Sequence, residues 1–164
     1  VTHIINTGVA GSLNPALDIG DILVSKDAIQ HDMDVTPLGY AKGQIPGLEQ
    51  LAFAADEKLC KTAVEVCKKV NPDIHVTEGR VVSGDQFISS KEIKDALIAE
   101  FHPDCTEMEG ASIAQAAALN NIPYVVIRAI SDKADGSAQE DYPTFEKKAA
   151  EHCAKLVQEM MKEL

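Results

Sequence analysis

The feature that most constrains the fold is the apolar run Ile122–Ile130, IPYVVIRAI, which stops at Ser131 and Asp132. A continuous apolar run of this length, bounded by polar residues, is typical of a strand that is buried on both faces. Arg128 lies inside the run, where an arginine requires a carboxylate partner or a place beside a bound molecule. The run therefore predicts a core strand that carries an arginine, a hydroxyl and a carboxylate toward its far end.

Strand-like and helix-like segments alternate along the rest of the chain. The other predicted strands are Val1–Gly8, Asp21–Asp32, Ile74–Asp85 and Pro103–Gly110. Two helices are predicted from their starts, one after an N-cap at Asp56 and one after a capping box of Ser89 and Glu92, with the apolar stripe Ile93, Ala96, Leu97 and Phe101. A third is predicted over Ala111–Asn120. The last follows the apolar stripe Phe145, Ala149, Cys153, Leu156, Met160 and Leu164. This alternation predicts one α/β domain over residues 1–164, with a largely parallel sheet flanked by helices.

Polar segments follow several of the predicted strands. They are GVAG (Gly8–Gly11, predicted as a turn), SGDQFI (Ser83–Ile88), TEMEG (Thr106–Gly110) and RAISD (Arg128–Asp132). Ligands of open α/β folds bind at the carboxyl ends of strands. We therefore expect these four segments to meet at one site.

Composition excludes several classes of function. The formal net charge of −11 disfavours binding to nucleic acid or to an acidic lipid surface. No apolar stretch is long enough to cross a bilayer, and the first residues, VTHIINTG, do not resemble a signal peptide. The four cysteines form no CxxC pair, which favours reduced core cysteines in a cytoplasmic protein.

The candidate catalytic groups each have two interpretations. Asp132, at a strand end in a partly dry crevice, could hold a proton near neutral pH, or it could be a loop or helix-capping carboxylate. Alternation along a strand would place Arg128 and Asp132 on one face. Glu107 and Glu109 could serve acid–base chemistry or bind sugar hydroxyls. Alternatively, one glutamate pairs with Arg128 and the other caps the following helix.

Motifs for common cofactors do not occur. The sequence contains neither GxGxxG nor GxxxxGK[ST]. HDMD (His31–Asp34) suggests a metal only weakly, because alternation turns His31 and Asp32 to opposite faces. We therefore expect no cofactor and no metal.

Taken together, several segments resemble one family, the 5′-methylthioadenosine/S-adenosylhomocysteine nucleosidases of the nucleoside phosphorylase superfamily. The segments are NTGVAGSL (6–13), GDILVS (20–25), HDMDVTPLGYAKGQIPG (31–47), VSGDQFI (82–88), EMEGASIAQ (107–115) and VIRAISDKAD (126–135). The resemblance implies a three-layer α/β sandwich with a mixed central sheet. It also implies hydrolysis of the N-glycosidic bond of 5′-thio-substituted adenosines, without a cofactor.

The resemblance also assigns roles to residues. Asp132 is implied as the acid that protonates the purine, with Ser131 orienting it. The implied substrate contacts are Phe87 and Ile88 at the base, Met108 and Glu109 at the ribose with Arg128 nearby, and Val35 and Tyr142 around the 5′-substituent. Leu38 and Pro46, in the loop 36–50, are implied to reach the pocket of a second subunit, so a homodimer that binds a purine nucleoside is expected.

Two departures from the family pattern keep alternatives open. Val9 occupies a position where phosphorolytic relatives and many nucleosidases carry a hydroxyl residue, and a valine side chain cannot donate to phosphate. The family's water-activating glutamate lies in a segment before the first strand, and no residue here matches it, so the chain is expected to be the C-terminal portion of the family fold. A purine nucleoside phosphorylase and a non-catalytic nucleoside-binding module are the alternatives.

Overall fold

The predicted sheet is present, and it closes on itself. The computed structural model describes residues 1–138 and 141–164. Within them, the strands are β1 (Ile4–Ser12), β2 (Ile22–Gln30), β3 (Phe53–Ala54), β4 (Val76–Ser83), β5 (Cys105–Glu107) and β6 (Tyr124–Asp132). Their order is β3-β2-β4-β5-β1-β6, and an antiparallel pairing of β2 with β6 closes the ring. The sheet is mixed, with β1–β6, β2–β4 and β4–β5 parallel and β1–β5 and β2–β3 antiparallel.

Helices cover both sides of this sheet, which confirms the layered α/β fold. They are α1 (Glu57–Val70), α2 (Lys91–Phe101), α3 (Gly110–Leu119) and α4 (Ala138–Met160), and a short 3₁₀ turn spans Thr36–Leu38. Helices α1 and α4 share one core cluster with β2 and β6, whereas α3 packs in a second cluster on the other side. Of the helices in the described part of the chain, none has both the length and the apolar character of a membrane span.

Most predicted elements are present, with three local corrections. Asp56 caps α1 by accepting the Leu59 N–H (2.9 Å), as predicted. The N-cap of α2 is Ser90, not Ser89, and it accepts the Ile93 N–H (3.4 Å). Ile93, in the first turn of α2, is 42% exposed and Ala96 is also exposed, so the buried part of the predicted stripe is Leu97 and Phe101. At the other end of the chain, Leu164 lies beyond α4 and is exposed, so the apolar stripe ends at Met160.

The GVAG segment belongs to a strand and not to a turn. β1 continues through it because parallel pairing with β6 supports the backbone, and the glycines make room for side chains of that neighbouring strand. A Cβ at Gly8 would collide with the Arg128 guanidinium, and a Cβ at Gly11 would lie 2.8 Å from Asp132 Oδ1. Small residues in β1 therefore leave room for the two ionisable side chains of β6, Arg128 and Asp132.

A β-bulge corrects the expectation that Arg128 and Asp132 share a face. Gly8 pairs with Arg128 and Ala10 with Ile130, but the register then shifts so that Gly11 pairs with Asp132. An extra residue in one strand reverses the alternation beyond it. Asp132 therefore turns to the other side of β1 from Arg128.

Candidate active site

A cavity of about 480 Å³ opens where the four polar segments meet. This volume lies in the range of small-molecule sites. The lining residues are Val9, Ala10, Gly11, Gln86, Phe87, Ile88, Thr106, Glu107, Met108, Glu109, Ser131, Asp132, Tyr142 and Pro143. The chain thus brings together the ends of β1, β4, β5 and β6 with the start of α4.

Asp132 lies in the wall of this cavity, at the end of β6, and is 2% exposed. Burial raises the pKa of its carboxyl group, since the charged form loses hydration, and the neighbouring Asp141 and Asp135 raise it further. Hydrogen bonds from the Ala134 N–H to Oδ1 and from the Ser131 hydroxyl to Oδ2, each 2.8 Å, lower the pKa in part. The result is a fixed carboxyl group with an increased tendency to hold a proton beside an open cavity.

The turn after β6 fixes this carboxyl group. Ala134 adopts a left-handed backbone conformation (φ 51°) that points its N–H at Asp132. Left-handed backbone at a residue other than glycine, asparagine or aspartate is uncommon and is held by surrounding structure. Here Ala134 is fully buried and packs in a cluster with Leu13 and Ile88.

Apolar groups form much of the cavity wall. The side chains of Phe87 (49% exposed) and Met108 (43% exposed) lie at its surface. The rings of Phe87 and Tyr142 meet edge to face with centroids 5.9 Å apart, which connects the loop after β4 to α4. A flat, apolar ligand could stack on Phe87 in this position.

Glu107 and Glu109 differ in their surroundings. The Glu107 side chain is 2% exposed and forms an ion pair with Arg128. The Glu107 carboxylate also accepts the Gly110 N–H (2.8 Å) at the start of α3. The interpretation of a buried glutamate paired with Arg128 is therefore confirmed, and the same Glu107 caps the helix. Glu109, whose side chain makes no cap bond, is 63% exposed at the cavity.

Several predicted site residues do not line the cavity. Arg128 is buried and contacts two residues that do line it, Glu107 and Glu109. Val35 is half-buried, and Leu38 and Pro46 are exposed in the loop between β2 and β3. Val9, Phe87, Ile88, Met108, Glu109, Ser131, Asp132 and Tyr142 are all brought together.

Thr106 and Gln86 also line the cavity, and neither was predicted as a site residue. Thr106 begins TEMEG and Gln86 lies within SGDQFI, so their segments gave the signal, but only the folded structure shows which residues of these segments line the cavity. His31 is buried and Asp32 is exposed, but both lie just past the end of β2, and a Cβ at Gly84 would be within 2.8 Å of each side chain, so the predicted alternation does not hold here. Asp32 accepts the Asp85 N–H (2.8 Å) and so holds the start of the loop that carries Phe87.

The fold and the position of this cavity can be compared with those of known proteins. The family model described as the phosphorylase superfamily matches residues 1–162, and the chain belongs to that superfamily. A 5′-methylthioadenosine/S-adenosylhomocysteine nucleosidase of Anoxybacillus flavithermus is 42% identical over 98% of this chain and 69% of its own length. Within the superfamily, the chain belongs to the family of these nucleosidases.

Solved structures agree with this assignment. The 5′-methylthioadenosine/S-adenosylhomocysteine nucleosidase of Neisseria meningitidis, solved with methylthio-immucillin-A, superposes with a TM-score of 0.95 at 39% identity. The alignment covers all of this chain and 71% of that one. Futalosine hydrolase of Helicobacter pylori superposes with a TM-score of 0.93 at 38% identity, over all of this chain and 69% of that one.

Proposed function

We propose that this chain hydrolyses the N-glycosidic bond of 5′-methylthioadenosine and S-adenosylhomocysteine, with Asp132 as the general acid. The observation that carries the proposal is a buried carboxyl group with a raised pKa in a cavity of nucleoside size. The family to which the chain belongs supports the choice of substrate.

The chemistry requires a proton donor at the base. Breaking the C1′–N9 bond leaves positive charge on the sugar and negative charge on the adenine. A proton given by Asp132 to N7 makes the adenine a neutral leaving group, and water adds a hydroxyl group to C1′. The proton that this water releases restores the acid form of Asp132, so adenine, the sugar product and the enzyme balance. General acid catalysis of this kind contributes about 10²–10⁴ in rate.

The other cavity residues suit the remaining parts of the substrate. Phe87 would stack on the adenine, with the Ile88 backbone at its edge, and Tyr142 would close over the 5′-substituent. Met108 would form an apolar wall at the ribose. Glu109, an exposed carboxylate in the cavity, would accept hydrogen bonds from the sugar hydroxyls and lie near the developing cation.

The experiment that tests this function is adenine release from 5′-methylthioadenosine with and without inorganic phosphate. We expect equal rates, with 5-methylthioribose as the sugar product. The Val9 side chain, which lines the cavity, offers no hydrogen bond to phosphate. A rate that requires phosphate would instead identify a phosphorylase, and tight binding without adenine release would identify a binding module. Including futalosine among the substrates tests the likeness to the Helicobacter pylori enzyme.

We propose further that the chain acts as a cytoplasmic homodimer. Leu38, 76% exposed, and Pro46, also exposed, lie on the loop between β2 and β3, from which they would extend to the substrate pocket of a second subunit. The cysteines of the described residues are free and buried, as suits a reducing compartment. Light scattering should give twice the chain mass of 17.6 kDa. The Leu38→Asp variant should give a mass closer to that of the monomer.

A further inference from the structure

We infer that Glu107 is a positioning residue, whose charge keeps Arg128 from capturing the Glu109 carboxylate. This inference rests on the proposed function, because it concerns the group that binds the sugar. Glu107 does not act on the substrate itself in this account. It acts through Glu109, two residues further along the chain.

The contacts of Glu107 join three parts of the site. Its Oε1 accepts the Ser83 hydroxyl at the end of β4, and the Ser83 oxygen in turn accepts the Ala111 N–H (2.7 Å). Its carboxylate accepts backbone N–H groups of Glu109 (3.3 Å) and Gly110 (2.8 Å). These bonds fix the backbone from which the Glu109 side chain extends into the cavity.

Arg128 lies between the two glutamates. Its guanidinium pairs with Glu107, bonds to Asn6 Oδ1 (2.6 Å), and has Nη2 3.6 Å from Glu109 Oε2. Among the described residues, Glu107 and Glu109 are the carboxylates within ion-pair distance of Arg128. The arginine is 3% exposed, and its Nε has no partner among those same residues.

An unpaired charge buried this deeply is strongly unfavourable. If Glu107 lost its charge, the nearest compensation for Arg128 would be Glu109, which needs to move by only about one ångström to form a direct hydrogen bond. A Glu109 carboxylate held by Arg128 would be withdrawn from the sugar hydroxyls. Glu107 therefore satisfies the arginine and leaves Glu109 free for the ligand.

The test is calorimetric binding of two probes to Glu107→Gln: adenine, and a 5′-methylthioadenosine analogue with a carbon link in place of the glycosidic bond. We expect the nucleoside analogue to bind about tenfold more weakly, because its sugar hydroxyls lose hydrogen bonds to the charged Glu109 carboxylate. Adenine affinity should change by less than about twofold, because adenine has no sugar. Glu109→Gln should give the same pattern, and Glu107→Gln/Glu109→Gln should bind no more weakly than Glu109→Gln alone.

Asp27→Asn is the matched control. This substitution breaks a different ion pair of the sheet, between Asp27 and Arg80 (2.8 Å). Neither residue lines the cavity. The substitution should lower stability without changing the ratio of the two affinities. If Glu107→Gln does not fold, Ser83→Ala, which removes one donor to Glu107, should shift the ratio in the same direction by a smaller amount.

Three results would overturn the inference. Glu107→Gln could lose affinity equally for adenine and for the nucleoside analogue, or the two single-variant losses of analogue affinity could multiply in the double variant. Alternatively, Asp27→Asn could change the ratio of the two affinities as much as Glu107→Gln does. A wild-type chain that binds neither probe would contradict the proposed function itself. A wild-type chain that binds both, with a Glu107→Gln variant that keeps the wild-type ratio, would contradict only the inference.

Discussion

Two buried carboxylates at this site have opposite surroundings, and that difference separates their roles. Glu107 is paired with the Arg128 cation, so its charge is satisfied in place. Asp132 has neutral hydrogen-bond partners, Ser131 and the Ala134 N–H, among the described residues. Burial therefore raises the pKa of Asp132 and prepares it to donate a proton.

The raised pKa of Asp132 makes a prediction about stability. The unfolded chain titrates this group near its ordinary value of 3.8, and the folded chain titrates it higher. Asp132 therefore makes its full contribution to the stability of the folded state below pH 3.8, and this contribution is lost as the pH rises through the pKa of the folded state. Asp132→Asn does not titrate, so the variant should gain stability relative to wild type over this interval. Urea unfolding of both proteins at several pH values measures the difference.

Asp135→Asn is the control for this measurement. Its pKa is lowered, chiefly by hydrogen bonds from Ser137, so its contribution has the opposite sign. Stability from Asp135 is lost as the pH falls, and the variant should be less stable than wild type at neutral pH. A difference for Asp132→Asn that did not vary with pH would contradict the raised pKa.

At the scale of elements, the contact between β1 and the turn after β6 determines where Asp132 lies. A Cβ at Gly11 would be 2.8 Å from both Asp132 Oδ1 and the Ala134 Cβ, so Gly11→Ala should displace the carboxyl group. We expect at least a tenfold lower kcat, since small displacements of a catalytic group are costly. Gly136→Ala, where a Cβ has nothing within 4 Å, should keep the wild-type kcat. Equal kcat values for the two variants would show that Gly11 does not position the acid.

The elements themselves were largely predictable because local signals specify them. Asp56 before an apolar stripe predicts α1, and the run Ile122–Ile130 predicts β6, all nine residues of which are buried. The β-bulge opposite Ala10 and Gly11 was not predictable, because it depends on pairing between distant strands. For the same reason, alternation alone misplaced Arg128 beside Asp132. The sequence named both glutamates, but only the structure shows that Glu107 is the buried one.

At the scale of the whole molecule, the closed sheet was not foreseen. Strand alternation predicts layers, whereas closure depends on β2 reaching β6 through the pairs Ile22–Ala129, Leu23–Arg128 and Val24–Ile127. These positions are fully or almost fully buried. The closure therefore holds the strand that carries Arg128 and Asp132 from both edges, by β1 on one side and β2 on the other.

Leu23 tests how much side-chain packing at this closure contributes to stability. It is fully buried and pairs with Arg128. Leu23→Ala should lower the free energy of unfolding by about 2–5 kcal/mol, through lost burial and the cavity left behind. Leu119→Ala, at a side chain 58% exposed, should change it by less than about 0.5 kcal/mol. Chemical denaturation compares the two, and similar small losses would mean that packing around Leu23 contributes little.

The most direct test of the whole account is the rate of adenine release from 5′-methylthioadenosine by Asp132→Asn. The amide keeps the shape of the side chain but has no acidic proton to give to the base. We predict a kcat lower by about 10²–10⁴, with the fold retained in circular dichroism. A variant that released adenine at close to the wild-type rate would contradict the assignment of Asp132 as the acid.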